Sequence, residues 1–144
     1  DAFHITAPAD GGIGAENCMT LALDDAGLSP ADVGHVNAHG TSTPLNDAAE
    51  AAAIAKVFGA GAVPVTSTKG VTGHLIGAAG AVEAVASLLA LRHGEVPPTA
   101  NHASAGDLEV DVVSGSARPV EPKPVVSNSF GFGGHNATLV LGAG

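Results

Sequence analysis

The chain has 144 residues, 45% of them hydrophobic, no Trp or Tyr, and a formal net charge of -9. Length and apolar share suffice for one domain with a packed core and exclude a disordered chain. Five Lys plus Arg against fourteen Asp plus Glu exclude a binder of nucleic acid or anionic membrane, because both need clustered cations.

In chain order, "DAFHITAPADGG" has neither a basic region nor an apolar run, so it does not read as a signal peptide. There is no initiator Met, and residue 1 is expected not to be a natural start. A first helix is expected from about Gly14 to Ala26, with Gly27 as its stop. Cys18 lies within it between Asn17 and Met19 and reads as core, not as a nucleophile. A single cysteine also excludes an internal disulfide and fits a reducing compartment. "SPAD" (Ser29 to Asp32) reads as a turn or a one-turn helix. "GHVNAH" reads as a strand ending at His39, followed by the loop "GTSTPLND". A second helix starts at Pro44 to Asp47 and ends near Phe58 and Gly59. "VPVTST" is a strand reaching Lys69. A third helix is expected from near Gly73 to Arg92 and His93, stopped by Gly94, after which "PPT" breaks the chain. "LEVDVV" alternates as a half-buried strand, and "PVVSNSF" and "NATLVLG" are strands around the glycine loop "GFGG". Helices and strands alternate, so the class is α/β.

The third helix is apolar on every side: Leu75, Ile76, Ala78, Val82, Val85, Leu88, Leu89 and Leu91 share no single face. A membrane helix has this length, but Glu83 near the bilayer centre would cost about 2.5–3.5 kcal/mol and basic flanks are missing. A soluble helix of this kind lies inside a protein, covered on several sides. A chain of 144 residues cannot easily supply that cover, so the segment is expected to belong to a larger body.

Three polar points fall at the ends of expected strands: His39, Lys69 with His74, and Asn128 to Asn136. Sites in open α/β sheets gather at the carboxyl ends of strands. His39 precedes a glycine and three hydroxyl residues, a loop able to approach a polar ligand closely; a surface loop histidine is the plain alternative. His74 is expected at a helix N-terminus, which favours neutral imidazole as a hydrogen-bond donor and suits an oxyanion; it also reads as a capping histidine. Lys69 is either a site residue or a solvated strand-end lysine. Glu83, on the buried helix, reads as a structural carboxylate paired in the core. "GFGG" is a hinge presenting Phe130 or Phe132, or a tight turn. No HExxH, CxxC or GxSxG is present, which disfavours a metal centre or a serine triad.

Taken together, "VNAHGTSTPLND", "STKGVTGHLIGAAGAVEA", "VPPTAN" and "NSFGFGGHNATLVL" closely resemble the C-terminal half of beta-ketoacyl-acyl-carrier-protein synthases of the elongating, type II branch. The resemblance covers essentially the whole chain. It implies a thiolase-like fold in which two α/β halves form five layers, αβαβα, with a buried central helix. It implies a cytoplasmic homodimer that catalyses decarboxylative Claisen condensation of malonyl-carrier protein with an acyl thioester, without a cofactor. Substrates ride on the phosphopantetheine of an acyl carrier protein.

By the same resemblance His39 and His74 are catalytic and hydrogen-bond the malonyl thioester oxygen. Lys69 orders the site, Thr41 and Thr43 bind the phosphopantetheine arm, Phe132 gates the site and Glu83 supports it. The family's nucleophilic cysteine belongs to its N-terminal half, and Cys18 does not align with it, so the chain alone is expected to be inactive. Acyl carrier proteins are acidic, so the basic docking patch is expected on the missing half or a dimer partner. A modular polyketide ketosynthase reads nearer "HGTGT". A non-catalytic chain-length subunit tends to lose the histidines and lysine. A thiolase carries a late cysteine within a glycine motif. His135 stands where many relatives carry a hydroxyl residue.

Overall fold

The computed structural model describes residues 1–143. Four α-helices, α1 (Ile13–Ala26), α2 (Pro44–Phe58), α3 (Lys69–Thr72) and α4 (Ala79–His93), accompany seven strands. The strands are β1 (His35–Asn37), β2 (Pro64–Thr66), β3 (Glu95–Val96), β4 (Asp111–Val112), β5 (Arg118–Pro119), β6 (Val125–Gly131) and β7 (His135–Leu141). Five form one sheet in the order β4-β2-β1-β6-β7. The first four are parallel, and β7 returns antiparallel to β6 as a hairpin. Strands β3 and β5 make a small antiparallel pair that the sequence reading missed; two residues leave no alternation to detect.

The α/β class holds. Along β6, residues alternate between the two faces. Met19 of α1 and Glu50 of α2 lie against Asn128, whereas Gly80 of α4 lies against Ser129. Thus α1 and α2 cover one face and α4 the other. The main core sits on the first face, with Met19, Leu23, Val36, Ala53, Ile54, Val65 and Val126 packed together. Helix α1 ends at Gly27 with φ 65, and its stretch of Ala15, Met19 and Leu23 at four-residue spacing faces the sheet. Cys18 falls one step off that stripe and is half-buried, so the expectation of a core cysteine is corrected.

The "SPAD" turn is a 3-10 helix, Pro30–Asp32, closed by a capping box between Ser29 and Asp32. Helix α2 runs as expected, from Pro44 at its first position. Strand β1 stops at Asn37, two residues before His39. "LEVDVV" is a strand only at Asp111–Val112, because the Leu108 and Val110 N–H groups bond within a turn, to Ala105 and Leu108 carbonyls.

The third expected helix starts later than the sequence suggested. Gly73 (φ 70, ψ 179) ends the short α3, Ile76 takes a left-handed φ of 51, and α4 begins only at Ala79. Its inner face, Ala79, Glu83, Ser87, Ala90 and Leu91, is buried. Val82, Val85, Leu88 and Leu89 remain exposed on the outside. As the length argument anticipated, 144 residues cover only one side of this helix. The stretch Ile76–His93 is long and apolar enough to cross a membrane by length and composition alone. Glu83 within it is turned onto the sheet and paired with Lys69, which is the arrangement of a protein interior.

Candidate active site

The loops that follow β1, β2 and β6 leave the carboxyl ends of three adjacent strands and meet there. His39 follows β1 and is buried. Lys69 opens α3 just past β2, and His74 lies in the link before α4. The His39 and His74 rings meet edge to face, with centroids 5.5 Å apart and planes at 84°. The sequence left open whether these loops converge; they do. They edge a cleft of about 700 Å3 lined by Thr41, Glu50, Lys69, His74, Asn101 and Val110. A second hollow of similar volume lies at the other end of the sheet beside Pro30, Phe58 and Val120 and contains none of these groups.

Burial, the positive charge of Lys69 and the proximity of His74 push the His39 imidazole down to about 4. His39 is therefore a neutral ring at pH 7. Its Nδ1 is buried without a hydrogen-bond partner among the described residues. His74 is exposed and does not cap α4, so the helix-terminus argument for its neutral form is corrected. A different device fixes its tautomer. The Ile76 N–H donates to His74 Nδ1 at 3.1 Å, which leaves the ring proton of the neutral imidazole on Nε2. Ile76 reaches that position through its left-handed backbone, which is costly for a β-branched residue.

Lys69 is not a solvated strand-end lysine. It is buried and donates to Glu83 Oε1, and both side chains are at most 5% exposed. Glu83 thus fixes the ammonium from the opposite face of the sheet, in keeping with the paired carboxylate expected from sequence. Thr41 and Thr43 bring their hydroxyls within 2.9 Å of one another across Ser42, whose φ is 60. Thr41 is half-buried in the cleft and Thr43 is exposed. Phe132 is 75% exposed in the hairpin turn between β6 and β7. Phe130 is the aromatic against His39, with ring centroids 5.7 Å apart. Among the described residues, no three His, Cys, Asp or Glu side chains cluster as a metal site would require.

Sequence reasoning missed Glu50. Its carboxylate accepts the backbone N–H groups of His39 at 2.8 Å and Gly40 at 2.9 Å, and the Asn128 side-chain amide at 3.1 Å. Burial raises its pKa against the lowering effect of those donors and of Lys69. Glu50 therefore sets the main chain that carries His39. A signal was present: Asp47, Glu50, Ala51 and Ile54 sit at helical spacing on one face, which places the acid on the buried stripe.

A neutral ring and a ring held with its donor outward, beside a buried ammonium, can stabilise negative charge developing on an oxygen. The chain matches the family described as "Beta-ketoacyl synthase, C-terminal domain" over residues 1–103. It is 49% identical to 3-oxoacyl-[acyl-carrier-protein] synthase 2 of Staphylococcus aureus over 98% of its own length and 35% of that protein. The chain therefore spans about a third of the length of the curated relatives it matches. Among solved structures it resembles the ishigamide ketosynthase/chain length factor, with a TM-score of 0.92 and 42% identity, covering all of this chain and 36% of that one. It also resembles a type II polyketide synthase acyl-carrier protein in complex with its ketosynthase bound to the hexaketide. There the TM-score is 0.92 and identity 34%, over all of this chain and 36% of that one.

Proposed function

The chain belongs to the beta-ketoacyl synthases, and on that premise we propose that it is the enolate-forming part of a 3-oxoacyl-[acyl-carrier-protein] synthase. The observation that carries this reading is the His39–His74 pair, edge to face beside the Lys69–Glu83 ion pair. In the proposed reaction, malonyl-carrier protein loses carbon dioxide. The electrons of the broken carbon–carbon bond move onto the thioester as an enolate, whose oxygen receives hydrogen bonds from His39 and from His74 Nε2. The enolate carbon then attacks an acyl thioester carried on a cysteine, and that cysteine leaves as thiolate. Lys69 holds positive charge behind the histidines, and Glu83 keeps it in place. Thr41 and Thr43 present hydroxyls to the phosphopantetheine arm, and Phe132 serves as the gate on the glycine hairpin. No cofactor is required.

The nucleophilic cysteine is proposed to lie outside these 144 residues, in the N-terminal half of a two-half, five-layered homodimer in the cytoplasm. Cys18 is half-buried on α1, one step off the stripe that faces the core, and takes no part. The basic patch for an acidic carrier protein is assigned outside the chain as well. Of its five Lys and Arg, Lys56, Lys69, Arg118 and Lys123 are ion-paired, and Arg92 alone has no ion pair among the described residues. A second reading, a ketosynthase of a polyketide pathway working with a partner subunit, is favoured by the likeness to the ketosynthase/chain length factor structure. Both readings share the same enolate site. The test is to incubate the 144-residue chain with acyl- and malonyl-carrier protein. No condensation product is expected, and product from this chain alone would overturn the assignment of the nucleophile.

A further inference from the structure

The segment Thr99–Asn101, within "VPPTAN", has no part in the reaction as described, yet it bonds directly to the loop that carries Lys69 and, through Ser67, to the His39 loop. Thr99 Oγ1 accepts the Ser67 N–H at 3.1 Å and lies 3.4 Å from Thr66 Oγ1. The Thr99 N–H is itself tied to the Val113 carbonyl at 2.8 Å. Ser67 in turn donates its hydroxyl to the Gly40 carbonyl at 2.9 Å, one residue past His39. Asn101 takes a left-handed φ of 61 and donates its side-chain amide to the Gly70 carbonyl at 3.1 Å. Gly70 follows Lys69 directly, and a Cβ there would lie 2.4 Å from the Ala100 carbonyl oxygen. Only glycine lets the Lys69 turn lie this close to the segment.

The Lys69 turn needs such support. Helix α3 has four residues, which is a helical nucleus without the propagation that would stabilise it. Its position is therefore set by tertiary contacts. The Glu83 partner fixes the ammonium end of Lys69, while the backbone end rests on Ala100 and Asn101.

We propose that Thr99 and Asn101 are positioning residues for enolate formation: Asn101 sets the Lys69 turn, and Thr99, through Ser67, sets the His39–Gly40 turn. This rests on the function proposed above. A shift of an ångström in groups that must meet a developing charge is worth as much as ~100-fold in rate.

The test uses the assembled enzyme, with these 144 residues joined to whatever supplies the nucleophilic cysteine, and follows two half-reactions. One is carbon dioxide release from malonyl-carrier protein; the other is acyl loading onto the cysteine. Asn101→Asp keeps a residue that tolerates the left-handed backbone, while it removes the donor and sets a carboxylate against the Gly70 carbonyl; because Asn101 is exposed, folding is expected to be retained. Asn101→Asp and Thr99→Val are each expected to lower kcat for decarboxylation ~10-fold, leaving KM and acyl loading within about two-fold. Thr99→Ser, which keeps the hydroxyl, is expected to restore the parent rate. The clamp is overturned if Asn101→Asp keeps its decarboxylation rate, if acyl loading falls in parallel, or if Thr99→Ser is as impaired as Thr99→Val. A parent enzyme that loads acyl groups but releases no carbon dioxide would overturn the enolate reading itself, and the clamp with it.

Discussion

Glu50 is 3% exposed and turns both carboxylate oxygens onto the main-chain N–H groups of His39 and Gly40. Glu50→Gln would set an amide donor against one of those donors. The expected cost is about 1–3 kcal/mol of stability, read by denaturant unfolding of the assembled enzyme, together with impaired decarboxylation. Unchanged stability and rate would show that the His39 turn does not depend on this carboxylate. His39, Lys69, His74 and Glu83 stood out in the sequence as polar residues against an apolar, Ala- and Gly-rich background, and the roles expected of them came from the family resemblance. The positioning residues did not stand out. Glu50, Thr99 and Asn101 bond to main-chain groups of loops distant in sequence; helical spacing marks Glu50 as buried, but a single chain carries no mark of such pairings.

At the scale of elements, glycines and apolar runs gave the order of helices and strands, and Gly27 and Gly94 stop α1 and α4 as read. The boundary at α4 was misplaced because Gly73, Gly77 and a left-handed Ile76 interrupt a run whose hydropathy never changes. That interruption is what frees His74 to enter the site. The outer face of α4 is the other outcome. Val85 is 58% and Leu89 49% exposed, which is unusual for adjacent turns of one helix unless another body covers them. In the assembled enzyme, Val85→Asp is expected to cost more than about 3 kcal/mol, since it would bury an unpaired carboxylate. A loss below about 0.5 kcal/mol, the value for a surface site, would show that the face stays in water.

For the whole molecule, buried histidines set the response to acid. Burial pushes His35 down to about 4, as burial and charge do His39. Unfolded imidazoles titrate near 6.5, so the unfolded chain binds the extra protons first as pH falls. Stability from these two groups is present above about pH 6.5 and is lost as pH falls toward 4, on the order of 3 kcal/mol for fully buried His35. Glu50 opposes this: its raised pKa makes its contribution largest in acid and lost as pH rises through the folded value. His35→Gln is expected to flatten the decline between pH 6.5 and 4 in thermal unfolding, and an unchanged slope would contradict the assignment.

The central claim is that His39 and His74 stabilise the enolate of a malonyl thioester. Carbon dioxide release from malonyl-carrier protein by the assembled enzyme, compared between the parent and His74→Ala, tests it most directly. Loss of one preorganised donor predicts a fall in kcat of ~100-fold or more, with acyl loading of the cysteine intact. Decarboxylation at the parent rate would contradict it.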